Sequence, residues 1–589
     1  MRIHLTQFLR LLYRPWTAAL LFVLGLIVLK RFEGPINHMA FVAIVILTMA
    51  ALTFLLSRRP YFSLYTGLSL MFAVTIVSTI KYRLKGFDLH VFDFTFTGGD
   101  PQAMLFLLKG YSAWIVPVLV LLVATVVFLW MVAKFDQPIR ISATWRAAML
   151  LPAVPALMMS YPLPSDEPRY FHYLGGFDAS SFFISMIDLQ YLFRQSEFED
   201  RMRRTPPQPP YPDTLACGDP ANLPDVYLVL SESQMDFSIL PGLHTVNPAD
   251  ANFMPPDRQL RPLQVETYAG GTWVSSISLM AGLPSADFGV QAPYLTMVLD
   301  GKVRGALPEV FARCGYRTVE VTPVKRTFVN EGPFMENIGY QTIFDYDAIG
   351  ATEYAHEDNF YFNAAEKIVR EHHATDKRPL LLYMKTMFTH SPYLHTDVNK
   401  HTVAFDGSAE LNEYLNRSIA AQNDFLDFLK VVEKQTTVRG SVVLEFGDHH
   451  PGVMKELDDA AHGGNSLADL RSLAYRTYYM IHAFDYQLDM TAFPTGPIDI
   501  GFLGAALIQA GRLPTSPMYR DLIALNAHCG GRFHDCADRA AVDRFLRKRV
   551  DSGMLNVLPQ SELSQPLKEP AKPPIGPSGT GEPVATILR

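Results

Sequence analysis

The 589-residue sequence predicts a membrane-anchored protein, an N-terminal bundle of about five transmembrane helices plus an α/β domain with a mostly parallel central sheet. Three observations predict it. Uncharged apolar runs crowd the first 165 residues, a Pro-rich stretch at 206–224 follows, and beyond it short β-rich runs alternate with helical ones. The apolar content of 49%, with 39 Phe and 26 Tyr, exceeds what a soluble chain of this length needs, and the excess lies at the front.

The runs at 39–56, 61–80 and 114–133 carry no Lys, Arg, Asp or Glu, and each is long enough to cross a hydrocarbon core as helix. The run at 16–29 is shorter and follows Arg10 and Arg14, but no small-residue cleavage site succeeds it, so it reads as a first span and not a signal peptide. Residues 147–163 are apolar and read as a fifth span, though interrupted by Pro152, Pro155 and Pro162. Between the third and fourth spans, 82–111 mixes aromatic with charged residues and is expected to lie along the interface. Five spans put the chain ends on opposite sides. Eight basic residues in one set of loops against six in the other favour a cytoplasmic N-terminus and an external C-terminal domain.

Charge divides the same way. Residues 1–150 hold 14 basic and 5 acidic side chains, leaving 37 and 53 for the rest, so the soluble half is acidic and unsuited to nucleic acid. The four cysteines, 217, 314, 529 and 536, form no C-x-x-C pair. Outside the spans they permit two disulfides in an oxidising compartment, Cys529 with Cys536 and Cys217 with Cys314, or else four buried thiols.

In the second half, 226–230 (VYLVL), 318–321, 380–384 (LLLYM) and 442–446 read as buried strands, and 364–371 and 411–432 as helices. Ligands of such sheets gather outside the carboxyl ends of the strands. The first strand runs into Ser231-Glu232-Ser233, the third reaches His390 through K-T-M-F-T, and the fourth delivers Asp448, His449 and His450. Singly these are a loop acid, a loop histidine and a turn. Brought to one sheet edge, they have the chemistry of a metal site.

A nucleophile is offered by E-T-Y-A-G-G-T-W-V-S-S-I-S-L-M-A-G, where Gly270 and Gly271 let backbone approach a ligand and Thr272 stands at or just before a helix N-terminus. A threonine there is often only an N-cap. A divalent cation would turn its weak hydroxyl into a nucleophile.

The order of spans, linker, L-V-L-S-E-S, A-G-G-T-W, F-T-H-S-P-Y and E-F-G-D-H-H-P resembles the membrane-bound sulfatase-like transferases of the alkaline phosphatase superfamily, down to about residue 550. That group includes lipoteichoic acid synthases, phosphoethanolamine transferases acting on lipid A and phosphoglycerol transferases acting on periplasmic glucans. The resemblance implies an alkaline phosphatase/sulfatase-like fold. With it go a membrane domain at 1–165, a linker at 166–224, an extracytoplasmic catalytic domain at 225–555 and a disordered Pro/Gly-rich tail at 556–589. It implies one divalent ion, Zn or Mn, held by Glu232, Thr272, Asp448 and His449, with Thr272 the nucleophile and His390, His450 and His462 as substrate contacts. The implied reaction moves a phosphoglycerol or phosphoethanolamine headgroup from a membrane phospholipid to a cell-envelope glycan or glycolipid through a phospho-threonine. The implied location is a bacterial inner (cell) membrane, with the catalytic domain in the periplasm or outside. The alternative is a metal-dependent phosphodiester or sulfate-ester hydrolase of the same fold. Its sulfatase form is disfavoured because no C-x-P-x-R or S-x-P-x-R sequence occurs to make formylglycine. A non-enzymatic sensor is disfavoured because every expected ligand is chemically competent, and transport because the apolar runs carry no ionisable residue.

Overall fold

A computed structural model describes residues 11–564 except 86–87, 92, 95–100, 163–176, 194–195, 242, 244–259, 354, 394–407 and 436–438. The chain forms two compact units, one within 1–99 and 107–193, the other within 100–106 and 194–589.

In the first unit four helices are long and apolar enough to span, Pro15–Glu33, Ile36–Ser57, Pro60–Arg83 and Leu108–Phe135. Val42, Ile46 and Met71 pack in the core between the second and third. Where the fifth run was expected stand two short helices, Ala143–Ala148 and Ala153–Met159, of 6 and 7 residues, neither by itself of span length. Pro152 lacks the N–H that would continue the first ladder, and the chain passes 149–152 in turns. Glu33, buried at the end of the first helix, accepts the amides of Ala179 (2.8 Å) and Ser180 (3.2 Å) at the start of the helix Asp178–Phe193. The segment read as a linker therefore contains that helix and Glu197–Arg204, although its residues 166–176 and 194–195 lie outside the described ones. So do 95–100 of the interfacial segment and the tail beyond 564.

The second unit is built on one eight-stranded sheet. Its strands are β1 (Asp225–Ser231), β2 (Arg261–Gln264), β3 (Arg317–Val321), β4 (Thr342–Phe344), β5 (Leu380–Lys385), β6 (Ser441–Gly447), β7 (Arg476–Phe484) and β8 (Ile498–Asp499), in the order β4-β3-β5-β1-β6-β7-β2-β8. The four expected strands are β1, β3, β5 and β6, all parallel and all central or nearly so. β7 pairs antiparallel with β6 and with β2, which makes the sheet mostly, not wholly, parallel. Every residue of β1, β5 and β6 is buried, as continuous apolar runs covered on both faces require. The two expected helices appear, extended, as Asp358–Thr375 and Ala409–Gln435. Phe362 and Phe428 stack between them at 4.8 Å, and Phe428 meets Tyr227 of β1 edge-on at 6.3 Å. Both cysteine pairs are bonded, Cys217 to Cys314 and Cys529 to Cys536, with Cα atoms 5.1 and 4.9 Å apart.

Register decides where the site falls. β1 lies between β5 and β6, with Leu230 opposite both Lys385 and Phe446, and Ser231 opposite Gly447. The three strands therefore end level, and the residues that follow them emerge side by side.

Candidate active site and metal centre

Glu232 leaves β1 and is held through its backbone by the loop after β5. Its N–H donates to Thr386 Oγ1 (3.3 Å), and the Thr389 hydroxyl donates to its carbonyl. Ser233 then turns with φ 51°, in the left-handed region, which a non-glycine residue enters only when neighbours hold it there. They do: its N–H donates to Asp448 Oδ1 (2.7 Å), its hydroxyl to Glu232 Oε1 (2.8 Å), and its carbonyl accepts from Tyr414 (2.7 Å). On the β6 side a Cβ at Gly447 would stand 1.9 Å from the carbonyl oxygen of Gln234, so only glycine lets the two strand exits approach this closely.

The helix Thr272–Ala281 supplies the hydroxyl, with Thr272 as its first residue and Gly271 (φ 79°) as its N-cap. A Cβ at Gly271 would meet Thr267 Oγ1 at 2.7 Å. The Thr272 hydroxyl donates to Glu232 Oε2 (3.0 Å), and Ser275, one turn on, ties the helix to the same place by donating to the Asp448 carbonyl (2.7 Å).

Glu232, Asp448 and His449 are all buried, and each offers a ligand atom within 4.8 Å of the others. His449 Nε2 lies 3.2 Å from Asp448 Oδ2 and 3.6 Å from Glu232 Oε1. The His449 Nδ1–H donates to the His450 carbonyl (3.0 Å), which leaves the Nε2 lone pair for the cluster. Burial, and then the Asp448 charge, push Glu232 up to about 7; burial pushes Asp448 up to about 7 against the pull of Thr272 and nearby amides. Two carboxylates out of water at this spacing resist being charged together. Asp448 Oδ2 meets no donor in hydrogen-bond geometry among the described residues. Two hard oxygens, an imidazole nitrogen aimed at them and an adjacent hydroxyl are the donor set of a divalent cation, and they fit one.

Of the other expected site residues, His390 lies four residues beyond Thr386 on the loop after β5, half-buried, its Nδ1 donating to the Ser391 carbonyl. His450 does not join the cluster. Its ring is fully buried between Asp458 (Nδ1 to Oδ1, 3.1 Å) and the Arg476 carbonyl (Nε2, 2.7 Å), because successive residues leaving a strand point to opposite sides. His462 is the exposed last residue of the helix Lys455–His462. Sequence reasoning missed Ser233, Thr386, Ser275, Tyr268 and Asp458. The S-E-S triplet was the one signal present: of the two hydroxyls flanking the acid, Ser233 holds Glu232, while Ser231 donates to Glu445 (2.7 Å).

Residues 224–484 match the family described as Sulfatase. An uncharacterized protein of Haemophilus influenzae is 24% identical over 256 residues, 40% of this chain and 46% of that protein, so the chain spans under half the length of that relative. Among solved structures, the Streptococcus pyogenes phosphoglycerol transferase GacH in complex with sn-glycerol-1-phosphate is 16% identical, covering 66% of this chain and 94% of that one at a TM-score of 0.43. Lipooligosaccharide phosphoethanolamine transferase A (EptA) of Neisseria meningitidis is 12% identical, covering 85% and 97% at 0.48. The lipoteichoic acid synthase LtaP of Listeria monocytogenes is 15% identical, covering 53% and 76% at 0.38.

Proposed function

We propose, from the Sulfatase match over residues 224–484 and the cluster at its centre, that the chain is a membrane phosphotransferase. It takes a phosphoglycerol or phosphoethanolamine headgroup from a membrane phospholipid, holds it on Thr272 and passes it to a cell-envelope glycan or glycolipid. The observation that carries this reading is the Thr272 hydroxyl, at a helix N-terminus and 3.0 Å from Glu232 Oε2, beside two buried carboxylates and an imidazole. Four helices of span length supply the platform that a lipid donor needs and a soluble diester does not.

Glu232, Asp448, His449 and Thr272 would hold one cation, Zn or Mn. When bound, it supplies positive charge against the deprotonated hydroxyl and the phosphoryl oxygens. Thr272 Oγ1 forms a bond to the headgroup phosphorus as the bond from phosphorus to the diacylglycerol oxygen breaks. The hydroxyl proton passes by way of Glu232 Oε2 to that leaving oxygen. The helix N-terminus of Thr272–Ala281 and His390 meet charge on the transferring group. An acceptor hydroxyl then attacks the phosphorus as the bond from phosphorus to Thr272 Oγ1 breaks, and the acceptor's proton goes to that oxygen to restore the Thr272 hydroxyl. His462, exposed on its helix, remains a proposed contact for acceptor or headgroup; His450 serves as a support beneath the site. We place the chain in a bacterial inner (cell) membrane with its catalytic unit outside the cytoplasm, in the periplasm or outside, and the two disulfides support such an oxidising compartment.

The test is to incubate the purified full chain with headgroup-labelled phosphatidylglycerol and phosphatidylethanolamine and Zn or Mn. Diacylglycerol should be released, and a headgroup-phosphate adduct should appear on Thr272 without acceptor. Lipid turnover undiminished in Thr272→Ala would move the attack to water and make the hydrolase the better reading.

A further inference from the structure

The turn that presents Thr272 is a strained piece of backbone. Ala269, Gly270 and Gly271 have φ of 53°, 144° and 79°, three positive values in succession, and Ala269 has no glycine's licence for its own. A left-handed alanine is costly and persists only where surroundings hold it. What holds it here is a set of buried side chains outside the proposed metal cluster.

The Ala269 N–H donates to the His450 carbonyl (2.8 Å), the same oxygen that accepts from His449 Nδ1 (3.0 Å). One carbonyl therefore orients both a proposed metal ligand and the turn. The His450 ring is clamped in turn: Nε2 donates to the Arg476 carbonyl at the head of β7 (2.7 Å) and Nδ1 lies 3.1 Å from Asp458 Oδ1, an arrangement that engages both ring nitrogens. Tyr268, the residue before Ala269, donates its hydroxyl to the second oxygen of the same carboxylate, Asp458 Oδ2 (3.0 Å). Asp458 is fully buried on the helix Lys455–His462. Two successive residues of the turn, 268 by side chain and 269 by backbone, are thus tied to one buried carboxylate, directly and through His450.

We infer that Tyr268, Asp458 and His450 are positioning residues that set the distance of Thr272 from the Glu232–Asp448–His449 cluster. None touches the reacting atoms. The inference rests on the proposed reaction for its kinetic consequence, but not for its structural one. Outer partners of this kind are typically worth about 10–100-fold in metal affinity or activity, and an ångström of misplacement about 100-fold in rate.

Tyr268→Phe and Asp458→Asn in the full chain test it through three readouts. Turnover of headgroup-labelled lipid should show kcat down roughly 10–100-fold with KM within about twofold, since donor contacts are not altered. Bound Zn or Mn should stay at the wild-type content. Hydrogen exchange should speed up at the amides of 267–273 while β6 stays protected, because the Ala269 bond has lost its support. Wild-type kcat together with wild-type exchange in Tyr268→Phe would overturn the inference, and so would loss of metal in step with activity in Asp458→Asn. If Asp458→Asn does not fold, Tyr268→Phe decides, since it removes a single hydroxyl. If the wild-type chain turns over no lipid, the proposed reaction fails, yet the exchange measurement still judges the positioning role.

Discussion

The metal-free chain should lose stability as pH rises toward neutral, and a divalent cation should restore what is lost. Glu232 and Asp448 are pushed from ordinary values of 4.5 and 3.8 to about 7 in the folded, cation-free chain. A pKa raised by folding means that the fold prefers the protonated group. Its contribution is fully present below about pH 4, declines as pH rises, and is gone once pH passes about 7. Each tenfold change in proton affinity is worth about 1.4 kcal/mol, so the pair costs the metal-free fold on the order of 5 kcal/mol at neutral pH once relaxation is allowed for. A cation at about a thousand times its Kd returns about 4 kcal/mol, and it competes with protons for the same oxygens. The assay is thermal unfolding of the detergent-solubilised chain at pH 5 to 8, with chelator or with Zn or Mn. The two melting curves should nearly coincide at about pH 5 and separate by several degrees, up to about 10 °C, at about pH 7.5. Asp448→Asn, whose amide oxygen can keep the Ser233 N–H bond, should abolish the gap and melt above the metal-free wild type at neutral pH. A gap equal at pH 5 and pH 8, or metal-free Asp448→Asn less stable than metal-free wild type at neutral pH, would refute the reasoning.

Thr272→Ala should lose lipid turnover by on the order of 1,000-fold or more and form no adduct, yet cost stability only about 1 kcal/mol, the net worth of one hydrogen bond; Thr272→Ser should keep part of the rate. Labelled-lipid kinetics and mass spectrometry of the 272 peptide check both. His390→Ala should slow adduct formation about 100–1,000-fold, as removal of one charge-stabilising donor does, with metal content unchanged by elemental analysis. Gly447→Ala should destabilise by about 3 kcal/mol or prevent folding, because the new Cβ meets the Gln234 carbonyl and both strand exits must shift; denaturant melts measure it. A reporter fused after Pro224 should be active only outside the cytoplasm and one after Arg59 only inside, which requires the broken helices at 143–159 to complete a fifth crossing. Activity of the first reporter in the cytoplasm would show that they do not.

Composition and short-range pattern determined much of this protein. Apolar runs of span length, and the mainly apolar, β-rich stretches 226–230, 380–384 and 442–446, the last interrupted by Glu445 alone, record what each segment must bury, and that is a local property. The parallel strands so identified bring the rest of the reasoning with them, since parallel strands deliver their next residues to one edge, and Glu232, His390, Asp448, His449 and His450 could be named from that edge, while only the family resemblance separated ligands from substrate contacts among them. The tertiary structure decided what depends on register and distant partners. That β1 sits between β5 and β6 with level ends is a property of three strands far apart in the chain, and it is what lets the Ser233 amide reach Asp448, 215 residues on. The direction of His450 followed from which side of the β6 exit faces the cluster, and two adjacent histidines look alike in sequence. Tyr268 finds Asp458 across 190 residues, with no pattern in either neighbourhood to announce it. The break at 149–152 is the converse case, where hydropathy averages over a window and a missing N–H at Pro152 acts at one bond. Segments declare what they will bury; only the packed chain determines which atoms are left facing one another.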